Sequence, residues 1–198
     1  MVKLFHRLRQ LSTLATTMEG PAVDSSLQQI FTDRMMLFES QVNASVWSMA
    51  LNNVRQHGSA NRPRASAAVR ACARTWHTTV LLYLYFILRK TPAGSRVVQK
   101  LVARSKISLL NLTREEMWSH FPPKLLLWAL FIAGIASVGC TERLWFSEIL
   151  GQLRGSLQLE SWEDVKGILI EYAWVEAFCS RPCMKFWEES SITQVLEN

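Results

Sequence analysis

Hydrophobic residues recur along most of this chain at steps of three and four positions, the spacing that places them on one face of an α-helix. The clearest stripe lies in a helix predicted over about residues 22–55, and its members are Leu27, Ile30, Phe31, Met35, Phe38 and Val42. Further helices are predicted over about residues 65–88 and 95–110. Because no alternating strand pattern bounded by hairpin turns occurs, the sequence predicts an all-α fold.

Turn and capping residues divide the rest of the chain. Residues 57–64 combine glycine, proline and basic side chains and are predicted to form a loop. Thr113–Glu116 and Ser161–Asp164 both have the form of a capping box, in which a hydroxyl and an acid satisfy free backbone amides at a helix start. The helix from Ser161 is predicted to continue to about Phe178, and Pro182 is predicted to separate it from a last helix.

The seventeen residues Leu125–Thr141 carry no charge. They fall short of the about twenty apolar residues that a membrane span needs. Small side chains, which let another helix come close, are frequent in this run: Ala129, Ala133, Gly134, Ala136, Ser137 and Gly139. With Pro122–Pro123 before it and Glu142–Arg143 after it, the run predicts a buried, small-residue central helix in a single-domain helical bundle. A small helical membrane or mitochondrial protein, with its apolar segment at residues 125–141, is the alternative.

The chain has 198 residues, of which 49% are hydrophobic and 19% charged, enough for one substantial core. Its net charge of +6 is unevenly distributed. Residues 1–106 hold fifteen Lys and Arg against four acids, and residues 107–198 hold seven against twelve. Such a distribution fits an acidic or nucleic-acid partner, or two halves that face each other in one fold. The dispersed basic positions favour the second interpretation.

The N-terminal residues 1–20 form a basic segment. Lys3, Arg7 and Arg9 lie among leucines, hydroxyl side chains follow, and no acid precedes Glu19. This pattern is typical of a mitochondrial presequence. A short amphipathic basic helix on the surface of the domain explains it equally well.

No cluster of residues indicates catalysis or metal binding. The four cysteines have apolar or helical surroundings and predict free thiols in an intracellular protein: Cys72, Cys140, Cys179 and Cys183. Cys179 and Cys183 are four residues apart, but Pro182 is expected to interrupt the turn between them, so we expect no zinc and no other cofactor. No nucleophile elbow, phosphate-binding glycine loop or metalloprotease motif occurs, and we expect the protein not to be an enzyme.

Eight tryptophans are unusual for a chain of this length: Trp47, Trp76, Trp118, Trp128, Trp145, Trp162, Trp174 and Trp187. Aromatic side chains supply core area, and on a basic surface they also stack on nucleic-acid bases. Here the tryptophans and the basic residues mostly lie in different segments. Most of the tryptophans are therefore predicted to belong to the core.

The order of residues in the C-terminal half resembles a fungal transcription-factor regulatory domain, the helical domain that follows the DNA-binding zinc cluster in many fungal regulators. The resemblance is best over residues 76–189, within a regulatory domain predicted over residues 21–190 and followed by a tail at 191–198. The residues that carry it are Trp128, Gly134, Glu142, Arg143, Trp145, Phe146, Trp174 and Trp187.

The resemblance implies a nuclear protein that regulates transcription through protein partners or self-association, with a small-molecule effector as an open alternative. The residues of the resemblance also fit together physically: Gly134 is expected to allow close packing, Arg143 to pair with an acid or a helix C-terminus, and Trp145, Trp174 and Trp187 to close the core. The chain departs from the family in lacking the six-cysteine zinc cluster and in having Ala129 where proline is frequent. We therefore expect no sequence-specific DNA binding by this chain alone.

Overall fold

The computed structural model describes residues 2–19, 24–55, 65–111 and 122–196. Over these ranges the chain forms eight α-helices and no strand, so the predicted all-α fold is confirmed. The helices are α1 (Val2–Thr17), α2 (Ser25–Arg55), α3 (Ala65–Leu82), α4 (Arg96–Leu110), α5 (Pro123–Ala136), α6 (Glu142–Ser156), α7 (Trp162–Ile170) and α8 (Glu176–Leu196). A π-helical turn, Tyr83–Leu88, extends α3. The predicted loop at residues 57–64 and the capping box at Thr113–Glu116 lie outside the described residues.

Helix α5 is the centre of the fold. Every residue from Leu125 to Ala136 is buried, and α3, α4, α6, α7 and α8 all contact this helix. Pro123 lies in the first turn, where a backbone N–H has no helical partner in any case. The prediction of a buried central helix is therefore confirmed. None of the helices in the described ranges combines the length and apolar character that a bilayer crossing requires.

Helices α1 and α2 pack on one side of this core. Leu8 and Leu11 of α1 are buried, and the Ser12 hydroxyl lies 2.7 Å from the Tyr83 hydroxyl in the π-helical turn. In α2 four residues of the predicted stripe are buried, whereas Leu27 is half-buried and Ile30 is 45% exposed. Successive helical residues are about 100° apart, so Ile30 lies well to one side of its buried neighbour Phe31.

The region after Ser161 begins as predicted but ends earlier. The capping box is present, because the Ser161 hydroxyl accepts from the Asp164 backbone N–H and the Asp164 carboxylate accepts from the Ser161 N–H. The helix then ends at Ile170, not near Phe178, so this part of the prediction was wrong. The irregular turn that follows presents the carbonyl of Ala173 to the indole N–H of Trp128 at 3.2 Å, a bond that a continuing helix would not allow.

Pro182 does not separate two helices, as the sequence had predicted, but lies inside α8. An interior proline removes one backbone hydrogen bond and costs about 3 kcal/mol. Cys179, Cys183 and Phe186 are nevertheless fully buried on both sides of it. Burial of this continuous face offsets the lost bond, and it places both cysteines on the same side of one helix.

Candidate functional site

Arg143 joins three elements around the end of the central helix. Its Nη1 donates to the carbonyl of Gly134 at 2.6 Å, and its Nε donates to Oε2 of Glu189 in α8 at 2.7 Å. The guanidinium also lies over the Phe186 ring, 5.1 Å from the centroid. The planar fork of arginine suits such a double role. The Gly134 carbonyl, at the C-terminal end of α5, also accepts from the backbone N–H and the hydroxyl of Ser137, so Arg143 adds a third donor to it. The acid and the helix end that the resemblance offered as alternatives for Arg143 are both its partners.

Gly134 is required by the close approach of α8. A Cβ atom built on this residue would lie 2.2 Å from two ring atoms of Phe186. The Phe186 ring is fully buried and packs edge-on against Phe131, with centroids 5.7 Å apart. Any side chain at position 134 would therefore have to displace a ring that has little room to move.

Trp128 holds the first half of α5 in an aromatic cluster. Its ring centroid lies 5.8 Å from that of Trp76, 5.7 Å from that of Tyr83 and 6.1 Å from that of Tyr172. Phe5 of α1 joins the cluster, 3.9 Å from the Trp76 ring. The first and third helices are thus connected to the central helix through aromatic contacts.

The remaining residues of the motif lie on α6 and near α8. Phe146 is fully buried, whereas Trp145 is half-buried beside it and faces the Lys106 ammonium at 5.8 Å. Trp187 is buried, and the Arg154 guanidinium lies over its ring, 4.0 Å from the ring centroid. Glu142 is in the first turn of α6, where its negative charge suits the helix dipole.

Trp174 is half-buried and donates from Nε1 to the Glu176 carboxylate at 2.6 Å. The Lys166 ammonium and the Ser180 hydroxyl donate to the same carboxylate at 2.7 and 2.5 Å. Hydrogen bonds from Lys166, Ser180 and Trp174 lower the pKa of Glu176 to about 2. This group of side chains therefore fixes the start of α8.

Burial changes the acidity of three side chains in the core. Burial raises the pKa of the Cys179 thiol to about 12 and also raises the pKa values of Cys183 and Tyr83. A thiol is a nucleophile and metal ligand only as the thiolate, which such burial suppresses at neutral pH. Within the ranges that the structure describes, no three His, Cys, Asp or Glu side chains come close enough to hold a metal ion together.

A cleft of about 270 Å³ opens beside Arg143. The cations of Arg181 and Lys185 border it together with the Arg143–Glu189 ion pair. Ile135, Val138 and Pro182 form its apolar wall. The cleft therefore offers positive charge next to an apolar surface.

A sequence model of the fungal specific transcription factor domain matches residues 2–188. The chain belongs to this family. Neither a curated protein nor a solved structure matches the chain. The family match begins well before Trp76, where the resemblance in the sequence was strongest, so α1 and α2 are part of the family domain. The predicted domain, residues 21–190, already contained α2, whereas α1 had been assigned to a separate basic segment because its sequence shows little beyond an amphipathic basic pattern.

Phe186 and Glu189 are the two central residues that reasoning from the sequence missed. They contact Gly134 and Arg143, respectively, across separations of 52 and 46 positions. A phenylalanine and a glutamate on a helix carry no motif of their own. The one signal in the sequence was Gly134, whose predicted role in close packing indicated that another element lies against this position.

Proposed function

We propose that this chain is the regulatory and interaction domain of a transcription regulator that acts in the nucleus through protein partners or self-association. The observation that supports this proposal is the family match over residues 2–188, nearly the whole chain. The residues of the motif pack within or against the core around α5. They make a scaffold, and the regulatory contacts belong to the exposed surface of that scaffold.

We further propose that the chain alone does not recognise a DNA sequence and catalyses no reaction. A zinc cluster of the fungal type needs six cysteines, and this sequence has four. Two of them, Cys179 and Cys183, are fully buried with pKa values raised by burial. Dispersed basic residues support weak, salt-sensitive attachment to phosphates, which carries no sequence information.

Tethering the chain to DNA tests the regulatory role. We would fuse it to a heterologous DNA-binding domain in yeast and measure a reporter that carries the matching sites. The fusion is expected to change reporter expression several-fold, and the unfused chain is expected to leave it unchanged. Gly134→Leu, which would disrupt the scaffold, is the loss-of-fold control, and Gly167→Ala on an open helix surface is the matched silent control. An inert fusion at normal protein level and nuclear location would contradict the proposal.

The cleft beside Arg143 supports a second, narrower role, the binding of a small anionic effector with an apolar body. Arg181 and Lys185 are exposed cations at its edge, and the apolar wall lies between them and the core. A thermal-shift screen of aliphatic and aromatic carboxylates tests this role. A ligand of this site should raise the melting temperature of the parent but not that of Lys185→Gln, and an equal shift in both proteins would place the ligand elsewhere.

A further inference from the structure

Helix α2 has a second apolar stripe beside the one that it buries. Ile30 is 45% exposed and Leu37 is 60% exposed. The two are seven residues apart, and exposed Ala44 follows at the same interval. Such a heptad spacing keeps side chains on one line along a helix and is typical of a surface that packs against another helix. The buried residues Phe31, Met35, Phe38 and Val42 lie on the adjacent face.

Helix α1 and the part of α2 around Leu37 enclose a groove. Arg7, Gln10 and Leu11 of α1 face Arg34, Leu37, Phe38 and Gln41 of α2 across a volume of about 270 Å³. Leu11 and Phe38 are buried and form its floor, whereas Leu37 forms an exposed wall. The Arg7 guanidinium donates to the Gln41 side-chain oxygen and connects the two helices. A groove between two packed helices is the surface on which a third helix packs by ridges into grooves.

The charge of the groove selects among partners. Among the residues that the structure describes, two arginines, Arg7 and Arg34, line it and no carboxylate does. The nearest acids along α2 have other partners: Asp33 accepts from the Gln29 amide, and Glu39 accepts from Arg89. Residues 56–64 of this chain have the same sign as the groove, because they contain arginines and no acid. A complementary occupant must therefore be acidic and must also carry apolar side chains.

We propose that the groove between α1 and α2, hereafter the α1–α2 groove, binds an acidic amphipathic helix of a partner protein. Apolar side chains of that helix pack against Leu37, Leu11 and Phe38, and its carboxylates pair with Arg7 and Arg34. A nucleic acid fits this surface less well, because the wall is aliphatic and none of the described residues that line it is an exposed aromatic available for base stacking. The biological meaning of this site rests on the interaction role proposed above.

A direct binding experiment tests the groove. The probe is a fluorescein-labelled synthetic helical peptide with leucines at helical spacing on one face and glutamates on both sides of that face. Two matched peptides replace the glutamates by lysines or the leucines by serines. Fluorescence anisotropy with the full chain is expected to show binding of the first peptide alone, and that binding should weaken as salt screens the charges.

Variants of adjacent residues make the test specific. Leu37→Gln and Arg34→Glu are expected to weaken binding by about tenfold or more, as for anchor residues of an interface. Met36→Gln is the matched control, since Met36 is 53% exposed, follows the same helix and does not line the groove. All three side chains are exposed, so melting curves should match the parent.

Several results would overturn the proposal. They are an absence of binding, equal binding of the lysine peptide, or equal loss of binding in Met36→Gln and Leu37→Gln. Light scattering measures the oligomeric state and tests whether a second copy of this chain occupies the groove. A dimer that Leu37→Gln converts to a monomer would assign the groove to that second copy. A tethered chain that still regulates the reporter while the peptide fails to bind would refute the groove alone. Peptide binding with an inert fusion would refute the regulatory role alone.

Discussion

Replacing Gly134 by alanine tests the contact between α5 and α8 most directly. A glycine in a helix interior destabilises it by about 0.5–1 kcal/mol relative to alanine, so on propensity alone this change would stabilise the protein. The structure predicts the opposite, because the new methyl carbon would lie 2.2 Å from Cε1 and Cζ of Phe186. Overpacking a core costs about 1–3 kcal/mol. Since Phe186 is fully buried, we expect the upper part of that range and a net loss of about 1–2 kcal/mol.

A second substitution isolates the contact. Phe186→Val removes all three ring atoms that approach the position of the new methyl group. In that background Gly134→Ala should no longer clash and should stabilise the protein by about 0.5–1 kcal/mol, the propensity difference. The change of sign corresponds to a coupling of about 2 kcal/mol between the two sites, within the range for residues in contact. Phe186→Val itself should cost less than the about 3–5 kcal/mol of a full Phe→Ala truncation.

Urea unfolding followed by tryptophan fluorescence and far-ultraviolet circular dichroism gives the four free energies of the cycle. Coincident transitions by the two probes establish that unfolding is two-state. Gly167→Ala is the control, because Gly167 is an exposed glycine inside α7 with nothing near its absent side chain. It should stabilise both backgrounds by about 0.5–1 kcal/mol. If Gly134→Ala stabilised the parent as Gly167→Ala does, Phe186 would not pack on Gly134 and our description of this contact would be wrong.

Four further substitutions have expected outcomes. Ser161→Ala should lower the free energy of unfolding by about 1 kcal/mol in urea titrations, because it removes the capping box at α7. Phe146→Ala should cost about 3–5 kcal/mol, and half-buried Trp145→Ala should cost less, so an equal loss in the two would contradict the packing of α6. The folded-state pKa of Glu176 is lowered from 4.5 to about 2, so its stabilising contribution is present above the unfolded pKa and is lost as pH falls from about 4.5 towards 2. Glu176→Gln should flatten this part of the pH dependence in thermal melts, and an unchanged profile would show that the carboxylate contributes nothing.

Features that depend on local chemistry were predictable from the sequence. The burial of α5 follows from a run of residues that makes the helix apolar on all sides. The start of α7 follows from the hydroxyl and the carboxylate of its capping box. Both depend on residues within a few positions of one another. The same locality explains why the bounds of most helices agree with the hydrophobic pattern within a few residues.

Features that depend on distant partners were not predictable. Helix α7 ends at Ile170 because the turn that follows it presents the Ala173 carbonyl to the indole of Trp128, a residue more than forty positions earlier. Pro182 remains inside a helix because Cys179 and Phe186 bury the same face on both sides of it. In both cases tertiary packing outweighs a local preference, and the neighbouring residues in the sequence do not indicate that packing.

The residues that identify the family and the residues that would choose a partner are different sets. Gly134 and Arg143, which belong to the family resemblance, connect α5 and α6 to α8 through their contacts with Phe186 and Glu189. Leu37 and Arg34 contribute to no such contact in the structure's core, and they are free to differ without loss of stability. Membership of the family therefore supports regulation in general, whereas we propose that the choice of partner depends on exposed side chains such as these. Under our proposal, substitution of exposed groove residues such as Leu37 and Arg34 should alter regulation while the protein remains folded, whereas core substitutions change stability and regulation together.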